Sequence, residues 1–327
     1  MIIVTGGAGF IGANLVHELN HAGHRDILVV DNLKPAPNLS GPKFLNLAGA
    51  TYADYMDKRE FRQALAAGHF SNSAISAILH QGACSNTLED DGQYMMDNNH
   101  TYSKELLHFA LGRSIPLVYA STAATYGAST SFAVDAANER PLNVYGYSKL
   151  VFDNYVRQLT PTISSTVVGL RYFNVYGPRE QHKGRMASVI HHFTRQLLDT
   201  GTIRMFEGSG GYSDGEQRRD FVFVRDLARI NMHFAGLLPE SPKQPVQAIV
   251  NAGTGHARTF KAVANALMAV HGQGTIEYIP FPGDLKNRYQ HFTEADISGL
   301  RAVGYAAPFT ELEDGVRETF TIEPTIR

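Results

Sequence analysis

The strongest constraint on the fold of this chain is its opening run, Ile2-Ile3-Val4-Thr5-Gly6-Gly7-Ala8-Gly9-Phe10-Ile11-Gly12. A short β-branched segment passes directly into a glycine turn, and the turn into a helical pattern with Ile11, Leu15 and Leu19 on one face. Gly7, Gly9 and Gly12 have the spacing G-x-G-x-x-G, while Gly6, Gly9 and Gly12 have G-x-x-G-x-x-G. Glycines at these places let the backbone approach a pyrophosphate, whose charge then rests at a helix N-terminus. A glycine-rich turn can also be a plain tight connection, so the residues downstream decide between the two. Ile27-Leu28-Val29-Val30 is a second strand, and Asp31 closes it about 20 residues beyond the turn, where a ribose-binding acid is expected. Strand, turn, helix and strand make a βαβ unit built to hold a dinucleotide. Gly6, Gly9, Gly12 and Asp31 are its expected cofactor contacts.

The same alternation continues. Strands are predicted at 77–80, 116–120 and 166–170, separated by helices near 60–67, 102–111 and 148–159. Uninterrupted apolar strands between helices imply a parallel sheet covered on both faces. After Phe173 the texture changes to long polar loops around 177–184 and 208–217, so the sheet is expected to end there and a second region to begin. A length of 327 residues suits two regions better than one core. The expected fold class is α/β, a doubly wound parallel-sheet Rossmann domain with a smaller, mixed α/β C-terminal substrate domain.

Charge and cysteine usage narrow the function classes. The 29 basic side chains nearly balance the 31 acidic ones, which argues against nucleic acid or a membrane surface as a partner. Cys84 has no second cysteine to pair with. No apolar run approaches the roughly 20 residues that span a bilayer, and the opening segment lacks the basic flank of a signal peptide. A cytoplasmic protein is expected. His21/His24 and His191/His192 lack the multi-ligand pattern of a zinc site, so no metal is expected.

Tyr145-Gly146-Tyr147-Ser148-Lys149 opens a predicted helix, which sets Tyr145 and Lys149 four apart on one face. A neighbouring ammonium favours phenolate, so such a tyrosine can exchange a proton with an alcohol while a nicotinamide takes the hydride. The hydroxyl-rich strand end Tyr119-Ala120-Ser121-Thr122 supplies a third group, with Thr122 the first choice and Ser121 the second. Such hydroxyls also commonly satisfy local backbone groups. For the cofactor, Asp31 favours NAD, whereas Asn32, Lys34, Lys43 and Lys58 offer donors and charge to a 2′-phosphate. From these residues NAD and NADP stand close to even.

The motifs TGGAGFIG, YASTAATYG, YGYSK and RYFNVYGPRE succeed one another over most of the chain. They resemble the extended short-chain dehydrogenase/reductase family. Longer stretches, among them MIIVTGGAGFIGANL, QGACS, YMMDNN, YSKELLHFAL, FEGS and RRDFV, bring the resemblance to those family members that epimerise ADP-heptose. It implies a nucleotide-sugar substrate, ADP-heptose, and tightly bound NADP. Hydride leaves C6 of the heptose, a carbon outside the ring, rotation presents the other face, and the same hydride returns.

The resemblance carries Tyr145 and Lys183 over as the two acid/base groups, with Lys149 tuning Tyr145 and binding the nicotinamide ribose. Without it, Lys183 reads as a solvated or diphosphate-binding lysine. Implied cofactor positions are Phe10, Ile11, Asp31, Asn32, Lys43, Lys58, Gln81, Gly82, Ala83, Cys84, Ser85, Asn98, Lys149, Val175 and Lys183. Those for the sugar nucleotide are Asn174, Arg185, His192, Phe206, Glu207, Gly208, Ser209, Arg219 and Tyr289. Arg219 also has its own rationale, since a guanidinium makes paired bonds to a diphosphate, with a salt bridge to Asp220 or Asp226 as the alternative.

There are departures from the family pattern. Thr122 and Gln81 stand where serine and glutamate are common, Arg185 replaces a small polar residue, and 210–217 lengthens a loop. The proline-bearing loop 32–42 is long enough to displace Lys43. Implied boundaries are 1–172, 222–252 and 303–318 for the dinucleotide-binding domain, and 173–221, 253–302 and 319–327 for the substrate domain. A homo-oligomer is implied, with a pentamer the leading form. The competing readings are another nucleotide-sugar epimerase, a dehydratase or a dehydrogenase of the same family, and a non-enzymatic dinucleotide sensor. Ala123-Ala124, where dehydratases bring an acidic pair, lowers the dehydratase. Retention of Tyr145 and Lys149 lowers the sensor.

Overall fold

The computed structural model describes residues 1–34, 41–281 and 290–322. Its centre is a seven-stranded sheet of β1 (Ile2–Thr5), β2 (Ile27–Asp31), β3 (Asp54–Asp57), β4 (Ala77–His80), β5 (Leu117–Thr122), β6 (Val167–Tyr172) and β7 (Gln247–Ala252). The spatial order is β7-β6-β5-β4-β1-β2-β3, and all neighbours run parallel. The order reverses between β1 and β4, opening a crevice at the carboxyl ends of the strands where such sheets bind ligands. The fold is the doubly wound α/β Rossmann type.

Two strands depart from the expectation. β3 has no apolar run and is exposed or half-buried throughout, yet it pairs with β2 from Leu28↔Asp54 to Asp31↔Asp57. An edge strand needs only one paired side, which weakens its hydrophobic signal. The sheet also does not end at Phe173, because β7 pairs with β6 from Val167↔Gln247 to Tyr172↔Ala252.

Successive strand residues face opposite sides. Val4, Val29, Leu79, Val118 and Val168 pack with α1 (Phe10–His21) and with the helix Val224–Phe234. Ile3, Leu28, Ile78, Leu117 and Tyr119 pack with α2 (Lys58–Ala66), α3 (Tyr102–Leu111) and α4 (Val144–Leu159). A further core joins α5 (Val189–Thr200), α6 (Phe260–His271) and α7 (Leu312–Ile322) to the strand Thr202–Phe206, which pairs in parallel with Thr275–Ile279. Phe10 belongs to that core as well, so the first turn of α1 ties the sheet to it.

α4 begins at Val144, one residue before the Tyr145–Lys149 run expected to open it. Asn143 Oδ1 accepts from Gly146 N at 2.8 Å and caps the helix, a bond worth about 1 kcal/mol. Tyr145 therefore lies in the first turn. No helix of the described residues is long and apolar enough to cross a membrane.

Candidate active site

At the switch point Gly6 has φ of +67°, its N–H donates to Val30 O at 2.7 Å, and its carbonyl accepts from Gly9 N at 2.9 Å. Gly12 lies against this turn so closely that a Cβ would stand 2.7 Å from Gly6 C and 2.9 Å from Gly7 Cα. Gly9 caps α1 without a side chain, and the first turn of that helix carries no acid. The first N–H groups of α1 are thus free of a side-chain cap, which fits a pyrophosphate.

Asp31 is buried and braces this turn. Its Oδ2 accepts from Ala8 N at 3.0 Å and its Oδ1 from Asn32 N at 2.7 Å. Lys43 Nζ donates to Asp31 Oδ1 and to Asn32 Oδ1, both at 3.2 Å. The expected displacement of Lys43 by its long loop does not occur. Residues 35–40 of that loop lie outside the described residues.

The crevice's next wall is the segment after β4, which holds Gln81, Gly82, Ala83, Cys84 and Ser85. Asn99 grips it, accepting from Cys84 N at 2.8 Å through Oδ1 and donating to Cys84 O at 2.9 Å through Nδ2. The same Nδ2 donates to Ser148 Oγ at 3.0 Å, and Ser148 Oγ donates to Tyr145 O at 2.7 Å. Asn98 and Asn99 lie on a π-helical turn, Asp97–Thr101, a widening that often marks functional sites. Lys58 donates to Asn98 Oδ1, and burial lowers its pKa from the ordinary lysine value.

Behind this wall His80 links the strands. Ser103 Oγ donates to Asn99 O at 2.7 Å, so it must accept from His80 Nε2 at 2.9 Å, which leaves Nδ1 to accept from Thr5 Oγ1 at 2.6 Å. Thr5 Oγ1 in turn accepts from Gly82 N at 3.1 Å. Burial holds the imidazole neutral, with its pKa down to about 3. The side chain of Gln81 closes a ring, accepting from Tyr172 OH and donating to Asn231 Oδ1 at 2.8 Å each, while Asn231 Nδ2 donates to Tyr172 OH.

The reacting groups expected from sequence meet at the end of β5. Thr122 lies beside the phenol of Tyr145, where its side chain opposes the rise in the phenol's pKa, and Thr122 Oγ1 accepts from Ala124 N at 3.1 Å. Ser121 points to the other side of the strand, donating to Asp153 Oδ2 at 2.9 Å within a buried cluster with Arg171 and Tyr119. Strand alternation therefore turns Thr122, not Ser121, toward Tyr145.

Lys149 is buried and donates to Ala120 O at 2.9 Å, with burial lowering its pKa to about 8. Burial raises that of Tyr145, and the Thr122 side chain opposes the rise. The simple expectation of an ammonium lowering the phenol is not the arrangement found.

Lys183 stands at the glycine turn instead. Its Nζ lies 4.5 Å from the Phe10 ring centroid and 2.8 Å from Glu180 Oε2. The turn carrying it is fastened by Asn46, whose Nδ2 donates to Ala8 O at 2.9 Å and to His182 Nδ1 at 3.0 Å. Ile11 and Val175 pack between the two cores nearby. Arg185 is exposed, and burial lowers the pKa of His192, a shift that the Arg185 backbone opposes.

Further out, Asn174 Oδ1 accepts from Thr293 Oγ1 at 3.3 Å, and Arg219 lies over the Phe260 ring at 5.7 Å. The carboxylate of Asp220 accepts from Thr254 N, Thr254 Oγ1, Gly255 N and Ala295 N, and that of Asp226 from Thr310 N and Oγ1. A shallow cavity of about 510 Å³ is lined by Glu207, Gly208, Ser209 and residues 211–214 of the long loop. Phe206 packs on Phe281 beside it. Tyr289 lies outside the described residues.

Sequence reasoning missed Asn99, His80, Asn46 and Glu180. Adjacent asparagines within a helix were the one available signal, because asparagine disfavours helix interiors unless its amide has a partner.

Residues 2–253 match the model of the NAD dependent epimerase/dehydratase family. The chain is 56% identical over 317 residues to the ADP-L-glycero-D-manno-heptose-6-epimerase of Alkalilimnicola ehrlichii, covering 97% of this chain and 95% of that one. Its structure is similar to that of Helicobacter pylori ADP-L-glycero-D-manno-heptose-6-epimerase, with a TM-score of 0.81 and 29% identity over 99% of this chain and 95% of the other. It is also similar to Thermus thermophilus UDP-glucose 4-epimerase in complex with NAD, with a TM-score of 0.74 and 26% identity over 98% and 97%.

Proposed function

The chain belongs to the NAD dependent epimerase/dehydratase family, and we accordingly propose that it is an isomerase interconverting ADP-D-glycero-β-D-manno-heptose and ADP-L-glycero-β-D-manno-heptose. Its product serves as a precursor of the lipopolysaccharide inner core. The observation that carries the reading is the meeting of Thr122 and Tyr145 over buried Lys149 at the strand ends, with a second ionisable group, Lys183, on a separate element at the glycine turn. When rotation carries the C6 oxygen to another side of the site, a proton-transfer group on each side lets both half-reactions proceed.

A bound nicotinamide dinucleotide supplies a reversible hydride acceptor. The glycine turn and the first N–H groups of α1 hold its pyrophosphate, while Asp31, Asn32, Lys43 and Lys58 line its adenosine end. Lys43, set between Asp31 and Asn32, favours NADP, because its cation offsets the carboxylate that would otherwise repel a 2′-phosphate. Residues 81–85, Asn98, Lys149 and Val175 border the rest.

At the substrate, Thr122 orients the C6 hydroxyl and Tyr145 takes its proton in one direction of reaction. Lys183 gives a proton to the same oxygen once the other face is presented. In the reverse direction the roles exchange. Arg219 holds the diphosphate, and Asn174, Arg185, His192, Phe206, Glu207, Gly208 and Ser209 border the sugar nucleotide. The segments 1–172, 222–252 and 303–318 hold the dinucleotide, and 173–221, 253–302 and 319–327 hold the sugar. The assembly is a cytoplasmic homo-oligomer, a pentamer, which light scattering tests directly.

The deciding experiment is NMR of ADP-D-glycero-β-D-manno-heptose incubated with purified protein. Inversion at C6 without net oxidation is expected. Unchanged C6, or steady growth of reduced nicotinamide when free NADP is added, overturns the reading.

A further inference from the structure

Glu180 is a fully buried carboxylate that takes no part in the proposed proton and hydride transfers. Lys183 Nζ donates to its Oε2 at 2.8 Å, Ser188 N to the same oxygen at 2.7 Å, and Ser188 Oγ to its Oε1 at 2.6 Å. A carboxylate out of water is costly unless a cation and hydrogen bonds satisfy it, and Lys183 is the cation here.

The placement of the pair is fixed from both sides. Before Glu180, Arg179 adopts a φ of 76°, rare for a residue with a side chain, and Asn14 of α1 holds that strained turn. Asn14 Nδ2 donates to Pro178 O at 2.9 Å, and Arg179 Nη1 donates to Asn14 Oδ1 at 3.0 Å. After Lys183, the backbone N–H of Ser188 joins Glu180 to the start of α5, a bond that does not depend on the serine side chain. Capping that helix does not require the carboxylate's charge, since Ser188 Oγ itself accepts from His191 N at 3.2 Å.

We propose that Glu180 is the positioning residue for Lys183. It holds the ammonium on the Phe10 ring beside the glycine turn, so that the second proton-transfer group stays in one place while the sugar turns over. The proposal rests on the reading of Lys183 as that second group.

Glu180→Gln keeps the shape and an acceptor for Ser188 but removes the charge. The KM for the nucleotide sugar is expected to stay within about threefold of wild type while kcat falls at least about tenfold. Reduced nicotinamide accumulates transiently after substrate is added, because proton transfer at Tyr145 is intact and the second transfer is slow. Independently of turnover, brief acylation of amines read by mass spectrometry should label Lys183 more in Glu180→Gln than in wild type, relative to Lys243 and Lys261.

Ser188→Ala removes a helix cap and one donor to Glu180 yet keeps the ion pair. It should lower Tm and leave kcat and Lys183 labelling as in wild type. Glu180→Asp draws the carboxylate back by one methylene, gives the same changes at smaller size, and carries the test alone if Glu180→Gln does not fold. Wild-type kcat and labelling in the Glu180 variants, or the same kinetic defect in Ser188→Ala, overturn the proposal. Failure of the wild type to invert C6 would sink the proposed function instead, and labelling would still report the hold of Glu180 on Lys183.

Discussion

Gly12→Ala adds one methyl group at the tightest point of the dinucleotide turn. The new Cβ would stand 2.7 Å from Gly6 C and 2.9 Å from Gly7 Cα. Carbon pairs rest at roughly 3.5–4.0 Å, so turn and helix must separate by about 1 Å. The neighbours are backbone, so no side chain can rotate away. Nor can Gly6 retreat, because a Cβ on Gly6 would already lie 2.7 Å from Gly82 N, and its amide is bonded to Val30 O. Overpacking of this kind costs about 1–3 kcal/mol, and the better helix propensity of alanine returns about 1 kcal/mol. The net loss is at most about 2 kcal/mol, or a Tm lower by up to roughly 5 °C. Binding suffers more. Displacing one amide from a pyrophosphate oxygen forfeits about 1.5–3 kcal/mol, at least about tenfold in Kd. Calorimetry with and without added NADP, together with the dinucleotide released on denaturation, measures both effects. A Gly12→Ala protein with unchanged Tm and a full complement of dinucleotide would refute the reasoning.

Tyr145→Phe should keep bound dinucleotide and lose roughly 10²–10⁴-fold in kcat, and unaltered turnover would contradict its role. Thr122→Val preserves volume but removes the hydroxyl facing Tyr145, so kcat should fall at least about tenfold with dinucleotide retained, checked by steady-state kinetics. Lys149 has a folded pKa of about 8, below its unfolded value of 10.5. The unfolded chain binds the extra proton between those values, so this group's contribution to stability rises with pH through that window, and its charge costs about 3 kcal/mol at neutral pH. Lys149→Met is accordingly expected to be inactive yet more stable in urea at pH 7, and a less stable variant would count against it. His80, held to about 3 from 6.5, has the same sign at lower pH. Stability should drop by up to about 5 kcal/mol as pH falls from 6.5 toward 3, whereas urea midpoints that stay flat down to pH 4 would exclude it.

The sheet is legible in the sequence where its signals are local. β1, the glycine turn, α1 and β2 show themselves because apolar runs, glycine spacing and helical periodicity each describe the backbone within a few residues. The strand at 77–80 and the helix at 102–111 match their predicted bounds to the residue for the same reason. β3 gives no such signal, since its stability comes from pairing with β2 rather than from its own composition. The choice between Ser121 and Thr122 is not local either, because it depends on which way one strand residue faces.

Local pattern alone was enough to predict a parallel sheet with a dinucleotide turn and to place a tyrosine and a lysine one helical turn apart. How those groups are held is a matter of packing. Lys149 reaches Ala120 O rather than the phenol, Lys43 lies against Asp31 in spite of its long loop, and Asn99 ties Cys84 to the helix of Tyr145. Lys183 is fixed between Phe10 and Glu180. Each of these except the Lys183–Glu180 pair joins residues well apart along the chain, and periodicity cannot report a bond whose partner comes from another element. Burial then sets the chemistry, because removal of water moves a pKa, and burial is a property of the packed molecule rather than of any one residue.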